Sequence, residues 1–89
     1  MTEGGTRPDP ALQLLGATIR QYRKQQRLSQ KALAAKTGLS STYIGEIEQG
    51  WRNPTALSLL RIAEALHISA GLLLQPMEKH AEDQATEQE

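Results

Sequence analysis

The stretch that decides the fold is "QKALAAKTGLSSTYIGEIEQ", residues 30–49. Numbered from Gln30, Leu33 stands at position 4, Ala34 at 5, Gly38 at 9, Leu39 at 10, Ile44 at 15 and Ile47 at 18. Two short helices meeting across a tight turn need this arrangement. A small residue, Ala34, lets the helices approach. Gly38 takes a left-handed backbone at the turn without a Cβ penalty. The larger apolar residues bury the joint. This is helix-turn-helix spacing, and it also suits an ordinary αα corner, so the window alone leaves DNA binding and plain packing both open.

The flanking sequence reads as more helix. Asp9 is placed to cap a first helix, with Pro10 at the first helical position. Leu12, Leu15, Ile19 and Tyr22 then fall on one face, while Arg20, Lys24 and Arg27 form a basic stripe beside it. Ser29 can cap a helix from Gln30 to about Thr37, and Ser40 one from Ser41 to Gln49, ended by Gly50. "WRNP" is a loop. Thr55 can start a fourth helix running to Leu66, and Ser69 a short fifth, "AGLLL", ahead of Pro76. No β-branched alternation is present, so an all-α fold of four or five helices is expected over residues 9–75. Residues 1–8 read as a flexible lead-in. Residues 76–89 read as an acidic tail, disordered or a frayed helical extension.

Composition narrows the function. The chain has 89 residues, enough for one small domain, and is 38% apolar with no Phe and no Cys. A core of Leu, Ile and Ala follows. Cysteine-based metal sites and disulfides are excluded. His67 and His80 lie outside ligand spacing, so no metal or cofactor is expected. No membrane-span-length apolar run and no signal-peptide h-region occur, and a soluble cytoplasmic protein is the expectation. Net charge is zero, yet unevenly placed. Residues 11–74 hold eight basic side chains against three acidic ones, whereas residues 75–89 hold one basic against five acidic. A basic body with an acidic tail fits a nucleic-acid partner better than the net value suggests. No His stands beside a Ser nucleophile and an acid, so an enzyme is not expected.

Residues 15–74 resemble the lambda-repressor-like (XRE-type) helix-turn-helix family. The landmarks are "IRxxR" (19–23), "LSQxxLAxxxGxS" (28–40), "YIxxIExG" (43–50), "RNP" (52–54) and "IAxALxIS" (62–69). The resemblance implies a five-helix domain that binds double-stranded DNA as a homodimer on an inverted repeat, with the third helix in the major groove.

Helix geometry sorts the residues of that third helix. Ile44 and Ile47 define its buried side; Thr42, Gly45, Glu46 and Gln49 point away, and Ser41 lies on the flank near the N-terminus. Ser41, Thr42 and Glu46 are the candidate base readers, with Gly45 permitting close approach. Simple capping also fits Ser41 and Thr42. The Glu46 carboxylate can accept from cytosine N4–H and repel phosphates in a wrong register; a solvated charge fits equally. Glu48 lies about 40° from Ile44, on the buried edge. Arg23 lies at a similar edge of the first helix, which suggests a partly buried ion pair. The resembled family places an Arg–Glu pair at these positions.

Backbone contacts are expected from Ser40, Arg52 and Asn53. The resemblance adds Gln30, at a position that touches the backbone and braces the recognition helix. Tyr43 fits phosphate contact or core packing. Trp51 covers the loop or lies along a sugar-phosphate edge. On the fourth helix, Leu59, Leu60, Ala63 and Leu66 are expected to face inward, leaving Leu57 and Ile62 outside. Leu57, Leu72, Leu74 and Met77 are the expected dimer interface. His67 stands where a Gly commonly ends this helix, and His tolerates the left-handed conformation. The expected function is a sequence-specific transcriptional regulator. Restriction-modification controllers, phage-type repressors and antitoxins all fit. The alternative is a protein-interaction module retaining the fold, with a protein partner engaged through residues 75–89.

Overall fold

Five side chains start the five helices of the computed structural model, which describes residues 8–87. Asp9 Oδ1 accepts the Ala11 N–H at 2.8 Å and opens α1 (Pro10–Gln25). Ser29 Oγ accepts from Ala32 at 2.9 Å and opens α2 (Gln30–Thr37). Ser40 Oγ accepts from Tyr43 at 3.0 Å and opens α3 (Ser41–Glu48). Thr55 Oγ1 accepts from Ser58 at 3.0 Å and opens α4 (Ala56–Ala65). Ser69 Oγ accepts from Gly71 at 3.1 Å at the head of α5 (Ala70–Glu87). Each bond satisfies an N–H that has no carbonyl partner within its helix. No strand occurs among the described residues.

Gly38 ends α2 with φ of 77°, and its N–H returns to Ala34 O at 2.9 Å. Two other helices close the same kind of turn without glycine. Arg27 and His67 take φ of 60° and 59°. Leu28 N–H reaches back to Arg23 O at 3.1 Å, and Ile68 N–H to Ala63 O at 3.0 Å, the bonding of a Schellman motif. Gln26 Nε2 donates to Leu66 O at 2.6 Å and ties the two turns together.

The core gathers Leu15 and Ile19 of α1, Leu33 and Ala34 of α2, Ile44 and Ile47 of α3, Ile62, Ala63 and Leu66 of α4 and its cap, and Leu73 of α5. The crossing of α1 over α3 is possible because residue 16 is glycine. A Cβ there would lie 2.2 Å from Ile47 O and 2.5 Å from Glu48 O. Thus α1 sits directly on the C-terminal turn of α3 and fixes how that helix is presented.

Two expectations are corrected. The buried face of α4 is turned from the one inferred from its leucines: Ile62 is fully buried, whereas Leu60 is 46% exposed. The face is centred toward Ser58, a buried polar residue whose Oγ accepts from Thr55 Oγ1 at 3.0 Å. A satisfied hydroxyl can join the core, so counting apolar residues alone misplaced the centre. The second concerns α5, which runs through Pro76 to Glu87 instead of stopping short of the proline. Proline removes one helical hydrogen bond, costing about 3 kcal/mol in a helix interior. Tertiary packing beyond it opposes that cost, since Met77 rests on the core. The lead-in expected over 1–8 lies, Pro8 apart, outside the described residues, as do positions 88 and 89 of the tail. No described helix is long and apolar enough to cross a membrane.

Candidate nucleic-acid interface

α3 is held from behind by a network of charged and polar groups. Arg23 Nε donates to Glu48 Oε2 at 2.6 Å and Nη2 to Oε1 at 3.0 Å, a bidentate pair whose side chains are 8% and 2% exposed. Arg23 Nη1 donates to Leu28 O at 2.7 Å. Gln30 Nε2 donates to Glu48 Oε1 at 3.0 Å. The carboxylate of α3 is therefore clamped by the end of α1 and the start of α2. The hydrogen bond to Glu48 holds the Arg23 pKa above the ordinary arginine value, with burial opposing it and the charge of Glu48 adding to it. Stability from that shift is lost only as pH rises into the strongly alkaline range, so Arg23 stays charged under working conditions. Fork geometry and the Gln30 bond supply what a buried pair needs to offset desolvation.

Gln30 has a second role. A Cβ on Gly45 would lie 3.3 Å from Gln30 Oε1. The Gln30 carboxamide lies beside Gly45, on the flank of α3 nearest α2. The close approach at Gly45 is between α2 and α3.

The opposite side of α3 is open. Ser40, Ser41, Thr42 and Gln49 are exposed, and Tyr43 and Glu46 are half-buried. Arg52, in the loop after α3, folds back over this side. Its Nε donates to Glu46 Oε1 at 2.9 Å, and its guanidinium carbon sits 5.7 Å from the centroid of the Tyr43 ring. Both partners remain solvated, with side chains 58% and 39% exposed. The loop is anchored where Trp51 N–H bonds Glu46 O at 2.9 Å. Asn53 is exposed beside Arg52, and the Trp51 ring is exposed as well. Arg20, Lys24 and Arg27 are also exposed.

Sequence reasoning thus placed Arg23 and Glu48 together, Thr42 outward and Ser41 on the flank, and both Ser41 and Thr42 are exposed. Gln30, which the resemblance gave as a brace of the recognition helix, bonds Glu48 of that helix. Two things were missed, the Glu46–Arg52 pair and Gly16 at the crossing. Gly16 carried a usable signal, because a glycine inside an otherwise strong helix costs about 1 kcal/mol against alanine and marks close packing. The Glu46–Arg52 pair carried none, since the loop conformation decides it.

The expected dimer residues divide. Leu57 is 56% and Leu72 38% exposed, and Leu60 of α4 joins them as an exposed leucine. Leu74 is half-buried, and half-buried Met77 packs on its own core.

Comparison with known proteins agrees with this geometry. The helix-turn-helix family profile matches residues 19–73. The control protein C.SmaI of Serratia marcescens is 42% identical over 62 residues, covering 70% of this chain and 74% of that protein. The restriction-modification controller protein C.AhdI of Aeromonas hydrophila superposes with a TM-score of 0.69 at 37% identity, over 70% of this chain and 94% of its own. SinR, the master regulator for biofilm formation, solved in complex with DNA, superposes with a TM-score of 0.65 at 34% identity, over 67% of this chain and 97% of that one. A profile spanning more than half the chain, relatives above the one-third identity level and a shared fold converge, and the chain belongs to the lambda-repressor-like (XRE-type) helix-turn-helix family.

Proposed function

We propose that this chain is a sequence-specific DNA-binding transcriptional regulator, acting in the cytoplasm as a homodimer on an inverted-repeat operator with α3 in the major groove. The observation that carries the reading is the contrast across α3. Its back is locked by Arg23, Glu48 and Gln30, while its first turn presents Ser41 and Thr42 to solvent. A rigid helix with short hydrogen-bonding side chains at its N-terminal end is what base-edge reading in the major groove requires. Ser40, Asn53 and the free N–H groups of the helix start supply backbone contacts. The SinR relative crystallised on DNA supports the same assignment.

Dimerisation is proposed through the exposed leucines Leu57, Leu60 and Leu72 of adjoining α4 and α5. Burying them against a second copy removes apolar surface from water, and a two-fold axis there gives two reading helices.

Selection of binding sites from random duplex DNA, with mass measurement of the free protein, tests the proposal. An inverted repeat with half-sites about 10 base pairs apart, centre to centre, and a dimeric mass are expected. Affinity should also fall steeply with salt, because phosphate contacts release counterions. Failure to enrich any sequence at low salt would favour a protein-interaction module, with the exposed acidic part of α5 as its surface.

A further inference from the structure

Glu46, Arg52 and Tyr43 form a unit that the function above leaves unassigned. Tyr43 and Glu46 stand one turn apart on α3, and the Arg52 guanidinium returns from the loop to lie against both. The ring lies near the guanidinium carbon and the carboxylate fixes Nε. Nη1 and Nη2 have no hydrogen-bond partner among the described residues. Arg52 is therefore a forked donor, held on the outward side of the reading helix.

Two physical considerations separate a phosphate from a base as the acceptor. A phosphate is attracted by net charge, and a carboxylate 2.9 Å from the guanidinium offsets that attraction. A guanine edge is neutral and offers O6 and N7 side by side, so it selects for a planar fork in a fixed orientation. Holding the side chain before binding also reduces the rotamer entropy lost on docking. The arrangement gives up net positive charge and gains orientation, which favours a neutral base edge over a phosphate.

We propose that Arg52 reads a guanine in the major groove and that Glu46 is its positioning residue, holding Nε so that Nη1 and Nη2 face O6 and N7. The proposal rests on the DNA-reading function above. It moves Arg52 from the backbone to a base and makes Glu46 the support of a reader instead of a reader of cytosine.

The test is site selection from random duplex DNA with wild type, Arg52→Lys and Glu46→Gln. Melting curves followed by circular dichroism should match wild type, since both side chains remain solvated and their pair contributes little stability. Lysine keeps the charge and loses the fork. Arg52→Lys should lose preference for guanine at one position of each half-site by roughly tenfold or more, with the other positions unchanged. Glu46→Gln should weaken preference at that same position. An unchanged selected sequence with Arg52→Lys would overturn the proposal and return Arg52 to the phosphates. A change with Glu46→Gln at a position that Arg52→Lys leaves intact would show Glu46 reading alone, and overturn it too. If wild type itself selects nothing, the DNA-reading function fails with it, and that arm alone reports this.

Discussion

Two glutamates two residues apart on α3 each pair with an arginine, and the two pairs do opposite jobs. Glu48 meets Arg23 through two hydrogen bonds in a nearly dry setting, with Gln30 as a further donor. Glu46 meets Arg52 through one bond, with both side chains in water. Burial decides what each pair is worth. Breaking a buried pair strands a charge and costs about 3–5 kcal/mol, whereas an exposed pair contributes roughly 0.2–1 kcal/mol. The buried pair belongs to the architecture. The exposed pair adds so little stability that its geometry is free to serve recognition.

The largest effect expected from this contrast is at the back of the helix. Glu48→Ala should destabilise the domain by about 3–5 kcal/mol in denaturant unfolding, by leaving Arg23 buried without its partner. Replacing Arg23 and Glu48 together by Met and Leu should recover most of that loss, because no charge is then stranded. A single mutant that melts like wild type would break the contrast outright.

Gly16→Ala probes the same side through the backbone. The new methyl meets two carbonyl oxygens of α3 at under 3 Å, so α1 and α3 must separate. A loss of about 1–3 kcal/mol is expected by calorimetry, typical of overpacking.

His67→Gly should act in the other direction. Its φ of 59° favours glycine, and a gain of about 0.5–1 kcal/mol in thermal unfolding is expected as the left-handed penalty is relieved against the entropic cost of glycine. A loss would show that the imidazole makes compensating contacts.

The smallest effect belongs to the front of the helix. Arg52→Ala should change stability by less than about 1 kcal/mol. A larger loss in denaturant unfolding would erase the distinction between the two pairs.

Much of this was legible in the sequence, for identifiable reasons. All five caps were readable, because Asp, Ser and Thr at helix starts act locally through hydrogen bonds of two or three residues' reach. The buried Arg23–Glu48 pair was readable from helical angles. What failed depended on long-range packing. The face of α4 turned because Ser58 entered the core with its hydroxyl satisfied. α5 passed Pro76 because tertiary contacts opposed a local cost. The Glu46–Arg52 contact needs the path of the loop after α3, which no periodicity encodes. Gly45 faced away from the core as expected, with Gln30 beside it on the flank nearest α2.

The most direct test of the division of labour on α3 is an amide chemical-shift titration of the labelled protein with its selected duplex. The largest shifts are expected at Ser41, Thr42, Glu46 and Arg52, with Leu57, Leu60 and Leu72 nearly unmoved. Shifts concentrated on α4 and α5, with α3 silent, would contradict a reading helix held from behind.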